Sequence, residues 1–324
     1  MKTYSEHPML STLQRYSLNG ETMGGRYTAV FYAPPAMDTL AIGASLFAAV
    51  DKVDQQMSTW NRGSDLCRLN AAATDTWVTV PEDLSIVLET GLLIGQQSMG
   101  AFDIGVGELV NIWGFGPSQR SPRLPAAPPA TLHVPAGPVL DVDRARGQVR
   151  KRAPMAIDLS GIAKGYGVDL LAQCLDDWGI ASYLVGIDGE MRAHGCKPDA
   201  APWAVAIEKP THGVREVSGV MELQDTAIAT SGDYRRWVEI AGKRYGHTMH
   251  PALQQPVSNR LAAVTVLAST CMLADAWATA LLVLGEHDGP ALARERGMDV
   301  LFVLRDGVQL QEILVIGGKL GEAS

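Results

Sequence analysis

The sequence has few cysteines, no long apolar run and no surplus of positive charge. Its four cysteines include no CxxC pair, so their spacing favours neither a zinc site nor a disulfide framework. No stretch reaches the roughly 18 uninterrupted apolar residues that a membrane-spanning helix needs. The formal net charge of −8 argues against a broad nucleic-acid surface, although it is compatible with a local pocket that binds an anion.

The amino-terminal segment is polar and lacks the basic start and apolar core of a signal peptide. We therefore expect a leader over residues 1–20, a single domain over 21–320 and a cytoplasmic protein. A chain from which an export signal had been removed would give the same pattern. Hydrophobic residues make up 47% of the 324 residues, which is ample for a substantial core.

Hydrophobic periodicity predicts an α+β fold. Apolar residues at helical spacing predict helices over 38–57, 82–98, 161–178 and 271–284. Glycines at 179 and 285 are placed to end the last two. Short apolar runs predict strands over 26–33, 182–187, 204–210, 219–224 and 261–269, and a hairpin over 301–316. Because short turns join many of them, we expect a mixed, mostly antiparallel sheet flanked by helices, with a proline-rich loop over 117–138.

The segment from Asp158 to Asp169, DLSGIAKGYGVD, places three glycines and a lysine where the chain begins a helix. Glycine lets a backbone approach a ligand closely, and a helix N-terminus presents N–H groups with partial positive charge. Lys164 adds a full charge. We expect this segment to hold an anion such as phosphate, although glycines placed here for packing alone would give the same pattern.

Asp275 and Thr279 lie four residues apart in the predicted helix 271–284 and therefore share one face. A carboxylate and a hydroxyl are the oxygen ligands that Mg²⁺ takes while it keeps part of its hydration shell. A solvated aspartate is the simpler interpretation of one such residue. Burying a charge among these apolar neighbours is costly, however, unless it is paired or bound to a metal, so the pair is a candidate metal site.

Other segments carry groups suited to a phosphorylated, ring-containing ligand. Thr230 and Ser231 offer hydroxyls to phosphate oxygens, and His247 and His250 are candidate general bases near neutral pH. Asp103 lies in a glycine-flanked turn among aromatic residues that offer a stacking surface for a flat ring: Trp60, Phe102, Trp113 and Phe115. Histidines in turns are often only surface residues, and aromatics near glycines often belong to an ordinary core.

Seven segments resemble, in order and spacing, the FAD:protein FMN transferase family, the ApbE family. They are MGG, MSTWNRGSDLCRLN, GAFDIGVGELVNIWGFG, DLSGIAKGYGVD, ATSGDYRRW, GHTMHP and ADAWATA. The resemblance implies an ApbE-like fold and an enzyme that cleaves the pyrophosphate of FAD with Mg²⁺. It also implies transfer of the FMN half to a threonine or serine hydroxyl of an acceptor flavoprotein, with release of AMP.

The resemblance also implies roles for individual residues. The Ala163 carbonyl, Asp275 and Thr279 would hold the metal, and His247 would deprotonate the acceptor hydroxyl. Contacts to FAD would fall on Met23, Trp60, Ala101, Phe102, Asp103, Ser160, Lys164 and Met249. The hydroxyls of Thr230 and Ser231, proposed above from their chemistry, complete the candidate cofactor site.

Gly25, Gly246 and His250 depart from the family pattern, and the glycine expected a few residues after Pro251 is absent. Gly25 replaces the threonine of MGT, and this change falls in the expected flavin pocket. Gly246 and His250 replace a serine and an acidic residue of SHxxDP, and these changes fall where the acceptor or the base would be oriented. The histidine itself and both helix ligands are retained.

The same residues suit two further functions. A metal-dependent FAD pyrophosphatase would need the same metal and phosphate groups, with water as the attacking group in place of a protein hydroxyl. A flavin-binding protein without turnover would need only the binding residues, and the altered GHTMHP segment is compatible with it.

Overall fold

The computed structural model describes residues 13–321 apart from 118–132, 212, 214–215, 235 and 308. Within the described residues the helices are α1 Thr39–Met57, α2 Asp65–Ala71, α3 Glu82–Gln97, α4 Gly107–Ile112, α5 Ala163–Asp177 and α6 Cys271–Glu295. The strands are β1 Gln14–Thr22, β2 Gly25–Ala33, β3 Trp77–Thr79, β4 Leu140–Asp143, β5 Gln148–Lys151, β6 Tyr183–Ile187, β7 Glu190–His194, β8 Trp203–Glu208, β9 Val217–Leu223, β10 Ala227–Gly232, β11 Trp237–Ile240, β12 Lys243–Gly246, β13 Met249–His250, β14 Gln255–Pro256, β15 Leu261–Ala268, β16 Asp299–Asp306, β17 Gln309–Ile316 and β18 Lys319–Gly321.

The central sheet has nine strands in the order β1-β2-β6-β7-β10-β15-β16-β17-β18. Every pairing in this sheet is antiparallel. The parallel contact found within the described residues is an isolated bridge between Val106 and Ala156. Short turns between neighbours such as β6 and β7, or β16 and β17, account for this pattern, because a short turn reverses the chain. The expected α+β fold with a mostly antiparallel sheet is confirmed.

Helices cover one face of the central sheet and a hairpin covers the other. On the helical face, Phe31 of β2 packs with Leu46 of α1 and Leu171 of α5. Residues of α6 pack with β15 and β16 in the adjoining core. On the opposite face, Trp203 of the β8–β9 hairpin packs with Ile228 of β10. The alternation of side chains along each strand produces this division.

The paired structure begins before the predicted domain boundary. Residues Gln14–Thr22 form β1, which begins inside the segment predicted as a leader, crosses its boundary at residue 20 and pairs with β2 along its full length. Met23 and Gly24 form the two-residue turn between these strands, and both have positive φ, as such hairpin turns require. β1 is an edge strand with many polar, exposed side chains, which is why its sequence carries little strand signal.

Both glycines predicted to end helices lie at helix ends. Gly179 follows the end of α5 with φ +70°, as a helix-ending glycine does. Gly285, with φ +82° and ψ −172°, is not helical and divides α6 into two helices, so the predicted end of the first helix at this glycine is confirmed, and a second helical segment continues to Glu295. Within the residues described, no helix combines the length and apolar character that crossing a membrane requires, and the cytoplasmic location stays a prediction.

The predicted loop over 117–138 falls mostly outside the described residues. Residues 133–138 are described and contain neither helix nor strand. The remaining predicted elements are present within two or three residues of their expected bounds.

Candidate active site

Helices α5 and α6 each receive a carboxylate from the other at their N-terminal ends. The Gly165 N–H of α5 donates to Oδ2 of Asp275 at 3.0 Å. In return, Asp169 of α5 accepts from the N–H groups of Cys271 and Met272, both at 2.9 Å. A helix N-terminus favours a negative charge, so both contacts stabilise the packed pair. The start of α5 therefore receives the carboxylate of Asp275, and a phosphate at this segment stays a prediction.

The glycines at the start of α5 allow this close packing. A Cβ atom on Gly165 would lie 2.7 Å from the carbonyl carbon of Cys271. One on Gly161 would lie 3.1 Å from Oγ1 of Thr279, and one on Gly167 would lie 2.8 Å from Cε of Met23. The glycines therefore serve packing, and that packing brings the predicted metal ligands together.

The three predicted metal ligands lie around the junction of α5 and α6. Ala163 is the first residue of α5, two residues before the Gly165 N–H that binds Asp275. Thr279 lies one turn along α6 from Asp275, and its hydroxyl is 3.0 Å from that of Ser231. All three offer oxygen, the donor type that Mg²⁺ prefers.

Asp275 is a buried carboxylate whose ionised form is poorly compensated. It is only 4% exposed. Burial and, to a smaller extent, the neighbouring Glu190 raise its pKa, Lys164 and the Gly165 N–H lower it, and the net pKa is about 7. A bound cation would relieve this penalty, so the donor set fits Mg²⁺. Within the described residues no group of three or more His, Cys, Asp or Glu side chains forms a metal cluster, but Mg²⁺ commonly uses one or two carboxylates with water and phosphate.

Glu190 is a buried acidic residue that the sequence analysis missed. It is 5% exposed, and its Oε1 accepts from Nζ of Lys164 at 2.7 Å. Burial alone would lower the pKa of Lys164, but the carboxylates of Glu190, Asp275 and Asp188 raise it above its ordinary value. Lys164 therefore stays charged and does not act as a base. Its side chain is about 29% exposed, which leaves it accessible to an anionic ligand.

The two predicted hydroxyl contacts, Thr230 and Ser231, lie in β10 and face opposite sides of the sheet. Ser231 points towards α6 and contacts Thr279. Thr230 contacts the hydroxyl of Thr265 on β15 at 2.9 Å. Neighbouring residues of a strand face opposite sides, so only Ser231 joins the predicted metal ligands.

The predicted flavin contacts divide into groups with different surroundings. Met23 and Phe102 lie against the start of α5, near Gly167 and Gly161 respectively. Trp60 is 65% exposed, so its ring is accessible for stacking. The others are buried or already engaged: Ala101 and Met249 in the protein core, and Ser160 in hydrogen bonds to Asp158 from its backbone N–H and its hydroxyl.

Asp103 anchors the C-terminal end of the predicted proline-rich loop. Its carboxylate accepts from the Gly105 N–H at 2.7 Å and the Ala136 N–H at 3.1 Å. It also lies 3.0 Å from Nε2 of His133, and both side chains are almost fully buried. These contacts hold the 133–136 segment against the turn at 103, so Asp103 acts first as a structural anchor.

His247 lies beside Lys164 and Arg236, in the segment between β12 and β13. Its Nδ1 is 3.3 Å from the carbonyl oxygen of Arg236. A carbonyl only accepts, so Nδ1 carries the proton and Nε2 presents a lone pair. Burial lowers the pKa of His247 most, the charges of Arg236 and Lys164 also lower it, the carbonyl of Arg236 opposes them, and the net pKa is about 4. The imidazole is therefore neutral near pH 7 and able to accept a proton.

The departures at 246 and 250 are accommodated locally. A Cβ on Gly246 would lie 3.0 Å from Cβ of Asp233, whose carboxylate pairs with Arg305. Nδ1 of His250 accepts from the Leu253 N–H at 3.4 Å and closes a turn.

A groove of about 600 Å³ lies between the β1–β2 turn and α1. Met23, Gly25 and Arg26 line one side, and Phe47, Asp51 and Asp54 of α1 line the other. The groove therefore borders a predicted flavin contact and one of the positions that depart from the family pattern.

Comparisons with known proteins agree on one family. A sequence model described as the ApbE family matches residues 23–302. The FAD:protein FMN transferase of Vibrio cholerae is 36% identical over 294 residues, which cover 90% of this chain and 88% of the relative. The enzyme of the same name from Escherichia coli K12 is 33% identical over 295 residues, covering 90% and 84%.

Solved structures give the same result. The flavin transferase ApbE from Vibrio cholerae superposes with a TM-score of 0.82 at 35% identity, covering 93% of this chain and 97% of the other. The apo form of the Pseudomonas stutzeri flavinyl transferase ApbE gives a TM-score of 0.85 at 34% identity, covering 94% and 96%. The resemblance seen in the motifs is confirmed, and the chain belongs to the ApbE family.

Proposed function

We propose that this chain transfers the FMN half of FAD to a threonine or serine hydroxyl of an acceptor flavoprotein, depends on Mg²⁺ and releases AMP. Membership of a family whose curated relatives are FAD:protein FMN transferases supports the transfer reaction. The observation that carries the Mg²⁺ dependence is the buried carboxylate of Asp275, one helical turn from the Thr279 hydroxyl and close to the Lys164–Glu190 pair.

The chain's own residues bind the pyrophosphate and the cation. Asp275, Thr279 and the Ala163 carbonyl would hold Mg²⁺, which neutralises charge on the phosphate oxygens when bound. Lys164 offers its ammonium to the same oxygens while Glu190 fixes its position. Ser231 is hydrogen-bonded to Thr279 and orients the hydroxyl of Thr279 towards the cation site.

His247 is the proposed base. Its Nε2 takes the proton of the acceptor hydroxyl as the hydroxyl oxygen bonds to the phosphorus of the FMN half. The bond from that phosphorus to the bridging oxygen breaks, and AMP leaves with the bridging oxygen. A neutral imidazole whose Nδ1 is held by a backbone carbonyl is suited to this step.

We propose two kinds of flavin contact. Met23, Trp60, Ala101, Phe102 and Met249 supply apolar surface for the ring system. The polar groups of Asp103 and Ser160 are engaged within the protein, so they shape the walls of the site through the backbone that they hold. Thr230 is bonded to Thr265 on the opposite face of the sheet and is not proposed as a flavin contact.

The test is to incubate the protein with FAD, Mg²⁺ and an acceptor domain that is competent for flavinylation, and to follow AMP and the acceptor's mass. Release of AMP with a mass gain of one FMN on the acceptor is the expected result. AMP with free FMN would instead indicate a pyrophosphatase. Tight FAD binding without either product would contradict any catalytic function.

A further inference from the structure

The Asp188 carboxylate fills the space that a side chain at position 25 would need, at the edge of the candidate site. A Cβ atom on Gly25 would lie 2.5 Å from Cγ of Asp188 and closer still to both carboxylate oxygens. Such a separation is far inside van der Waals contact, so position 25 has no room for a side chain while the carboxylate is there. Gly25 does not have a positive φ, so the Asp188 carboxylate, and not the backbone conformation, is what leaves no room for a side chain at this position.

Asp188 holds this position in a conformation that non-glycine residues seldom adopt. It has φ +53° in the turn between β6 and β7. Its Oδ1 accepts from the Arg26 N–H at 3.3 Å, and its own N–H donates to the Arg26 carbonyl at 3.1 Å. Uncommon backbone conformations that persist are often held by contacts at functional sites. Here the contacts tie the β6–β7 turn to the β1–β2 hairpin.

The carboxylate is placed to influence two groups of the candidate site. The hairpin turn that it holds carries Met23, whose side chain lies against Gly167 at the start of α5. Asp188 is exposed, and its charge is one of those that act on the Lys164 ammonium. Gly25 and Arg26 also line the 600 Å³ groove.

We propose that Asp188 is a positioning residue for FAD in this chain and that it forms one unit with Gly25. Its carboxylate takes the place of a side chain at position 25, fixes the turn that carries Met23, and adds a negative charge beside Lys164 where the pyrophosphate would bind. The inference rests on the proposed function, because it assigns Met23 and Lys164 to FAD.

The charge is tested with Asp188→Asn, which keeps the side-chain acceptor for Arg26 and suits the left-handed backbone. We expect the Kd for FAD, measured by flavin fluorescence with Mg²⁺ and no acceptor, to fall about threefold or more at low salt. The difference should vanish near 0.5 M salt, where charges are screened. The matched control is Asp75→Asn, another exposed aspartate at positive φ, in the turn before β3, and it should leave Kd unchanged.

The unit is tested with Gly25→Thr, Asp188→Gly and the double variant. We expect Gly25→Thr to weaken FAD binding by about tenfold or more, and the double variant to return to within about threefold of the wild type. A double variant as weak as the product of the two single effects would overturn the coupling. Equal effects of Asp188→Asn and Asp75→Asn would overturn the role of charge, even if Gly25→Thr fails to fold.

The same measurements separate this inference from the proposed function. If the wild type binds FAD but the variants show no coupling between positions 25 and 188, the inference alone is overturned. Wild-type protein that does not bind FAD overturns both. A further readout is the steady-state split: Asp188→Asn should change KM for FAD and leave kcat within about twofold, whereas general damage to the fold would lower kcat.

Discussion

At the scale of single residues, the chemistry depends on ionisable groups whose pKa values are shifted by burial and by neighbouring charges. Asp275 has one backbone N–H donor and a nearby ammonium, yet burial and Glu190 still favour its protonated form. His247 is held neutral by burial and by two cationic neighbours. Shifts of this kind concentrate at functional sites, because the fold bears a cost there that a binding partner or a reaction relieves.

His247 gives a prediction for the pH dependence of stability. Its folded-state pKa of about 4 lies below its ordinary value, so the fold favours the neutral imidazole. The stability that this provides is present above about pH 6.5 and is lost as the pH falls through about 4. The free energy of unfolding should therefore drop more steeply on acidification for the wild type than for His247→Gln.

The measurement is denaturant unfolding at pH values between 4 and 8. His287→Gln, which changes an exposed histidine of α6, serves as the control and should follow the wild-type curve. Parallel curves for wild type and His247→Gln would show that the imidazole is not held neutral by the fold.

At the scale of elements, the junction of α5 and α6 determines the site. The exchange of carboxylates between the helix N-termini and the close approach at Gly165 bring Asp275, Thr279 and Ala163 together. The i, i+4 spacing of Asp275 and Thr279 was predictable, because it depends on one helix only. The Lys164–Glu190 pair was not, because it depends on the packing of α5 against a strand 26 residues further along the chain.

Strand assignment also limited the sequence analysis. Chemistry alone makes both Thr230 and Ser231 candidate ligand contacts, but side chains alternate between the two faces of a strand. The structure places them in β10, where alternation sends them to opposite faces. A strand prediction over 227–232 would have separated them, but its sequence AIATSG is short and ends in small polar residues.

Gly165→Ala tests the helix junction. The added methyl would lie 2.7 Å from the carbonyl carbon of Cys271, and a backbone group cannot move aside as a flexible side chain does. We expect a loss of about 3 kcal/mol in unfolding free energy, at the upper end of overpacking costs. The measurement is chemical denaturation, with loss of turnover as a second readout.

Gly43→Ala is the matched control for that substitution. Gly43 also lies within a helix, but its nearest neighbour would be Cδ1 of Leu18 at 3.9 Å, an ordinary contact. Because alanine favours the helix, this variant should be stabilised by up to about 1 kcal/mol. A Gly165→Ala protein as stable as Gly43→Ala would show that the two helices are not packed as described.

At the scale of the whole molecule, a single nine-stranded sheet connects the parts of the site. Met23 lies at the turn of its first hairpin, Glu190 begins β7, and Ser231 lies on β10. The helices on one face then supply Lys164, Asp275 and Thr279. Composition and periodicity were sufficient to predict the α+β class, whereas the order of strands depends on long-range pairing that no local pattern encodes.

The position of β1 leads to a prediction for truncation. If residues 1–20 were a dispensable leader, they could be removed without loss of stability. Their removal, however, deletes most of β1 and uncovers β2. Tyr16 stacks on Phe31 with ring centroids 5.4 Å apart, so this contact would also be lost. We expect the midpoint of thermal unfolding to fall by more than about 5 °C relative to a protein that begins at residue 13. Equal midpoints would support the leader boundary at residue 20.

The most direct test of the proposed mechanism is the Mg²⁺ dependence of FMN transfer in the wild type and in Asp275→Asn. Asparagine keeps the size of the side chain and removes the only charged protein ligand proposed for the cation. The wild type should add one FMN to the acceptor and release AMP in a reaction that saturates with Mg²⁺. The variant should fold at least as stably, because a buried charge is gone, and should lose at least about 100-fold in rate. Equal rates and equal Mg²⁺ dependence in the two proteins would contradict the assignment of Asp275 as the metal ligand.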